Sequence, residues 1–198
     1  MAASSSLYLK NAAVALLMVT PLVLLVAVGA GSAGTENDQP PIITIKETEG
    51  YTFRTGSAEL SPDFVRLLDD SIAPKLRQLA DSFRCDVVEV IGHTDGQAVL
   101  MLSNLDRLFT ASADTLSTSL VPGSNADLGL MRAWAVAIRL RAAKTLRGLT
   151  FYGYSAGQAI DIDGSYAAAG DRSDRPERRR IELRLRRSAK ITNATATR

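Results

Sequence analysis

Apolar positions recur along this chain with three different periods, and each period predicts a different element. Residues 12–30, "AAVALLMVTPLVLLVAVGA", carry no charge at all. Residues 31–41 then turn small, polar and proline-bearing, as a linker does. Ile42, Ile43 and Ile45 open a strand-like stretch directed towards Tyr51 and Phe53. "RTGSAELSPD" is turn chemistry, with Ser61 placed to cap a helix and Pro62 at its first position. Phe64, Leu67, Leu68, Ile72, Leu76, Leu79 and Phe83 follow at steps of three and four, one stripe of a helix that Pro74 should kink. Residues 86–92 form a second strand. Residues 125–146 form a helix whose apolar face carries Leu128, Met131, Ala135, Ile138 and Ala142. "LTFYGY", residues 149–154, predicts a third strand, and residues 155–177 a polar loop. "RRIELRLR" alternates with period two, Ile181, Leu183 and Leu185 inward and Arg180, Glu182, Arg184 and Arg186 outward. The residues from 188 to 198 predict a disordered tail.

The order strand, helix, strand, helix, strand, strand predicts an α+β domain over residues 42–187, with helices on one face of a small mixed sheet. A transmembrane helix precedes it: 19 apolar residues at about 1.5 Å each cover close to the ~30 Å hydrocarbon core. Lys10 before this segment, and Glu36 and Asp38 after it, favour a short cytoplasmic N-terminus (residues 1–11) and a domain on the far side. Its length exceeds the usual core of a cleaved signal peptide, which favours a signal-anchor. "GAGSAG" still offers small residues suited to cleavage, so both fates stay open.

Among 198 residues there is one cysteine, Cys85, and one histidine, His93. No intramolecular disulfide can form, and a Cys/His zinc site is untenable, so neither metal nor other cofactor is expected. A net charge of +2 implies no nucleic-acid partner. The eight arginines between Arg172 and Arg187 are interspersed with Asp174, Glu177 and Glu182, as on a solvated strand face. The sharpest chemistry lies in "VEVIGHTDGQ", where a strand stops at a glycine and His93, Thr94 and Asp95 follow. His93 and Asp95 share one face of an extended strand, as a catalytic dyad would require. No serine or cysteine nucleophile with a supporting motif stands nearby, so a hydrolase is a distant reading and no enzymatic activity is expected.

"GHTD", "NADLGLMRAWAV" and "RPERRRIEL", in this order, resemble the three signature blocks of OmpA-like domains, which include the C-terminal domain of the stator protein MotB. The resemblance covers roughly residues 42–187. It implies a βαβαββ fold and non-covalent binding of peptidoglycan through the diaminopimelate of its stem peptide. Carried over by position, Asp95 and Arg132 are the clamp on that zwitterion, with Thr94, Asn125 and Leu128 beside them and Arg179 and Arg180 as the arginine pair opening the last strand. The chemistry fits: a carboxylate accepts from an ammonium, and a planar guanidinium forks onto a carboxylate. The chain departs from the family's pattern in three places: residues 96–124 are inserted after the aspartate, Gly129 stands for a serine, and Arg178 stands for an asparagine. Leucines at near-helical spacing in residues 100–123 predict a helical lid there, or an arm that docks a partner.

The implied setting is the bacterial inner membrane, single-pass, with the domain in the periplasm. The alternative is a periplasmic or outer-membrane-associated protein after cleavage. A membrane protein or a second copy are further candidate partners. A MotB-like part in an ion-driven complex is the alternative function, but no acidic residue lies between Lys10 and Glu36 to carry a proton. If the segment stays attached, N-terminal sequencing of the membrane-extracted protein will find no mature start near residues 32–35; such a start would exclude the anchor.

Overall fold

In the computed structural model, residues 39–47, 51–106 and 120–189 are described. The chain divides into two compact units, Met1–Gln39 and Pro40–Arg198, and all the described residues except Gln39 belong to the second. The apolar segment expected to cross a membrane lies outside the described residues. Among those described, no helix is long and apolar enough to cross one.

Four strands, β1 (Ile43–Lys46), β2 (Val87–His93), β3 (Thr150–Gly157) and β4 (Arg180–Arg186), form one sheet in the order β1-β4-β2-β3. β4 runs antiparallel to both β1 and β2, and β2 runs parallel to β3, so the sheet is mixed. Among the described residues, three α-helices, α1 (Pro62–Leu67), α2 (Ala73–Phe83) and α3 (Asn125–Ala142), complete a βαβαββ order in which α1 and α2 lie together between β1 and β2. One core joins sheet and helices. Val88, Val90, Ile181, Leu183 and Leu185 face Phe64, Leu68, Leu76, Val136 and Leu140.

Ser61 caps α1 by accepting the Phe64 N–H at 3.2 Å, and Pro62 opens the helix. The kink expected at Pro74 is realised upstream as a π-helical turn over Leu68–Ile72, and α2 begins at Ala73. A proline has no N–H to give and its ring crowds the carbonyl four residues back, so the ladder widens just before it. The long second helix is shorter than its periodicity suggests. α3 stops at Ala142 and a separate 3-10 turn carries Lys144–Leu146.

The sequence directs the first strand towards Tyr51 and Phe53, but β1 stops at Lys46. Tyr51 and Phe53 are buried all the same, because they pack on Phe64. The Tyr51 and Phe64 rings stack at 3.9 Å, and Phe53 meets Phe64 edge-on at 5.3 Å. The Tyr51 hydroxyl donates to the Ile45 carbonyl. Arg180 and Glu182 also depart from expectation. They lie on the far face of the sheet, yet both are buried, because the β3–β4 loop folds over that end and the Asp161 carbonyl accepts from Arg180 at 3.1 Å. Ser188, expected to begin a disordered tail, still bonds the Asp86 carboxylate through its N–H and hydroxyl.

One close approach sets where α3 lies. A Cβ added at Gly92 would stand 2.0 Å from the Gly129 carbonyl oxygen, and one at Gly129 would stand 2.8 Å from the Gly92 oxygen. Helix backbone thus lies directly on strand backbone, which accounts for a glycine at position 129. Gly92→Ala is expected to destabilise the domain by roughly 3 kcal/mol, more than Gly129→Ala, whose nearest obstacle is the movable Ser155 hydroxyl. Urea unfolding of the two variants measures the difference.

Candidate functional site

β2 ends at the bulge between Gly92 and His93, and the chain turns there into Thr94 and Asp95. Two backbone bonds bracket that turn: Thr94 donates to the Gly157 carbonyl at 2.8 Å, and Gly96 to the Ser173 carbonyl at 3.2 Å. Gly96 lies so close under the 171–172 backbone that a Cβ there would meet the Asp171 oxygen at 2.6 Å. The Asp95 Oδ1 accepts from the Gln97 N–H at 3.3 Å, which closes a local turn. Asp95 therefore points in a fixed direction.

α3 supplies the opposite wall. Ser124 caps the helix by accepting the Asp127 N–H. Asn125, Leu128 and Arg132 stand at steps of three and four on one face. The Asn125 amide donates to the Gln97 carbonyl at 2.8 Å and the Asp95 carbonyl at 3.4 Å, tying the helix start to the turn. Thr94, Asp95, Asn125, Leu128, Arg132 and Arg179 all line one cleft of about 450 Å³. Glu47, Phe53, Asp174 and residues 97–101 complete it. The structure thus brings together the six residues singled out from the sequence, and adds Glu47 and Asp174, which carried no signal. Both lie in irregular or strand-end positions with no periodicity to read.

The charges divide in two. Arg179 collects three carboxylates: Nη1 lies 2.5 Å from Asp95 Oδ2 and 2.6 Å from Asp174 Oδ1, while Nε donates to Glu47. Burial works against its charge, but the hydrogen bonds it donates to Glu47, Asp174 and Asp95 outweigh it and hold the guanidinium above the usual arginine range. Arg132 is different. It is only 3% exposed, and among the described residues no carboxylate lies within ion-pair distance of it. Its Nε donates to the Ser57 carbonyl at 3.0 Å and Nη2 to the Arg54 carbonyl at 3.4 Å, while the Phe53 ring lies 4.7 Å from Cζ. Burial pushes its pKa down to about 10, with Glu47 and Asp95 pulling the other way, so it stays charged at neutral pH. A charge held by carbonyls and one ring is short of an anion.

His93 does not line this cleft. It is buried below, with Nε2 at 3.2 Å from Glu182 Oε1 and neither ring nitrogen in a well-aligned hydrogen bond. Arg178, which stands for an asparagine in the resemblance, is fully buried. It binds Asp171 at 2.5 Å and the Gln158 carbonyl at 2.5 Å, pinning the β3–β4 loop that roofs Gly96. Of the insertion, residues 107–119 lie outside the described residues. The described part contains no lid helix over the cleft: Leu100, Met101 and Leu102 adopt no regular structure and stand exposed. Among the described residues, no group of three His, Cys, Asp or Glu is placed to hold a metal.

No family model and no curated protein matches the chain. Among solved structures it is similar to the periplasmic domain of Helicobacter pylori MotB, at 17% identity and a TM-score of 0.46, covering 84% of this chain and 94% of that one. It is similar to a putative MotB-like protein from Desulfovibrio vulgaris, at 17% identity and a TM-score of 0.44, covering 74% and 75%. It is also similar to the OmpA-like domain of FopA1 from Francisella tularensis, at 18% identity and a TM-score of 0.35, covering 80% and 94%.

The His93 ring, then Arg184 and Arg180, hold the Glu182 carboxyl below the usual glutamate range against the cost of burial. A carboxyl depressed in the folded state stabilises fully above its unfolded value of 4.5, and that contribution fades as pH falls towards the folded value. The melting temperature of the wild type should therefore fall more steeply below about pH 4.5 than that of Glu182→Gln. Thermal melts of both proteins through the acid range check this. Parallel slopes would mean that Glu182 is not what titrates.

Proposed function

We propose that this chain is a binding module that holds peptidoglycan non-covalently, gripping a zwitterionic diaminopimelate-type residue of the stem peptide in the cleft. The observation that carries the reading is Arg132: a buried guanidinium that lines the cleft with no carboxylate paired to it among the described residues. A ligand carboxylate would supply the missing anion. A ligand ammonium beside it would join the carboxylate-rich wall of Asp95, Glu47 and Asp174, whose three negative charges meet only one positive charge at Arg179. An amino acid with both groups on one carbon bridges the two halves. Phe53, Leu128 and Val99 give its aliphatic part an apolar surface.

On this reading the uncharged residues 12–30 anchor the chain in the inner membrane, residues 31–41 span the gap, and the domain works in the periplasm, tethering the membrane or a complex to the wall. Nothing in the cleft calls for catalysis. Its charged groups are paired or positioned for contact.

Asp95→Asn keeps the shape and removes a charge, and Arg132→Lys keeps the charge and removes the bidentate fork. Each should weaken binding to purified sacculi by roughly 1.5–3 kcal/mol, about 10- to 100-fold. The double variant should lose less than the sum, since both grip one ligand group. Circular dichroism must show folded variants first, because Asp95 also holds Arg179. Folded variants that sediment with sacculi as the wild type does would sink the proposal.

A further inference from the structure

The two edges of the sheet are unlike. β1 is four residues long, follows Pro40 and Pro41, and carries Lys46, three features that discourage another strand from pairing with it. β3, on the opposite edge, has eight residues, "TFYGYSAG", with no proline and no charge. Thr150 donates its N–H to the Asp86 carbonyl next to β2. By the period of two, the backbones of Tyr152 and Tyr154 also face β2, and those of Phe151, Gly153 and Ser155 face outward. Among the described residues, nothing accepts from or donates to those outward groups.

Aromatic side chains flank this edge on both faces. Tyr152 and Tyr154 stand 44% and 45% exposed on the face away from the helices. On the other face Phe151 is half-buried against the core, and the ring of Trp134, the only tryptophan of the chain, rests on Gly153 with no room for a Cβ. An unprotected edge with an apolar surface on each side is a surface for strand addition.

We propose that the occupant is a second copy of this chain, with β3 paired antiparallel to β3 across a two-fold axis at Gly153. The choice rests on self-complementarity. With Gly153 opposite Gly153, Phe151 falls opposite Ser155, and each outward N–H meets an outward carbonyl. Tyr152 of one copy then sits opposite Tyr154 of the other, twice, in the closer pairs of the ladder. An uncharged strand meets its own image without repulsion, and a glycine on the axis leaves the two tryptophan rings free to approach. The result is one continuous eight-stranded sheet.

The test uses the full chain in detergent. Tyr152→Cys combined with Tyr154→Cys places a cysteine of one copy opposite a cysteine of the other, and mild oxidation should give a covalent dimer; the native Cys85 is buried and serves as the background control. Tyr152→Lys combined with Tyr154→Lys, both at exposed positions, should raise the dimer dissociation constant by on the order of 30- to 100-fold in sedimentation equilibrium. Circular dichroism reads the fold of each variant. A chain monomeric at all concentrations would overturn the proposal. So would a dimer indifferent to the lysines, an absence of cross-linking in a folded cysteine variant, or cross-linking of β3 to another polypeptide.

Discussion

The site depends on a contact between two backbones. Gly92 and Gly129 let α3 settle onto β2 more closely than any side chain would permit. A helix seated at that depth presents Asn125 to the turn after β2 and Arg132 to the segment before α1. A side chain at either glycine would lift the helix. Asn125 would then lose the Gln97 carbonyl at 2.8 Å, and Arg132 the Ser57 carbonyl at 3.0 Å. Packing and the geometry of the cleft are therefore one constraint here. The residues that close the core also fix the distance across the cleft.

Electrostatics follow from that seating. Arg179 is satisfied three times over, while Arg132, a short way across the same cleft, is held by carbonyls and an aromatic face. An arginine buried without a carboxylate costs free energy that a folded protein recovers only when an anion arrives. One side of the cleft holds surplus negative charge, and the other a positive charge with no carboxylate beside it among the described residues. On the proposed reading such a cleft favours a ligand of both signs over a simple anion. Nearby arginines that look redundant in sequence thus do opposite things. Arg179 organises carboxylates, Arg178 braces the loop above them, and Arg132 lines the cleft held by carbonyls and an aromatic face.

Much of this was legible in the chain's own pattern. The alternation in "RRIELRLR" and the three-four stripe of α1 and α2 placed β4 and the core correctly, because burial on one face writes itself into period. Asp95 and Arg132 were visible through short motifs rather than through period. What stayed hidden was set by contacts between distant segments. Arg180 and Glu182 alternate as solvent-facing residues should, yet a loop covers them. Tyr51 and Phe53 carry strand-forming side chains, yet stacking on Phe64, not pairing with β4, decides their place. Glu47 and Asp174 meet in the cleft at Arg179, the first from far along the chain and the second from the β3–β4 loop. No local pattern can announce a residue whose position is fixed by a charge far along the chain or by the fold of a loop.

On the proposed reading the chain is a tether, and a tether must hold while every contact in it stays weak. Two or three charge-assisted hydrogen bonds in a water-filled cleft, less the cost of fixing a flexible peptide, leave roughly micromolar to millimolar affinity for one site. A polymer changes the arithmetic, since a released stem peptide has neighbours within reach and a second site held nearby rebinds before the protein escapes. Pairing through β3 would place two clefts on one rigid sheet, and an anchored apolar segment would confine both to a layer beside the wall. Strength then comes from geometry, not from the single pocket. An open cleft with exposed Leu100 and Met101 at its rim would suit such a system: quick to let go of one stem, slow to let go of the wall.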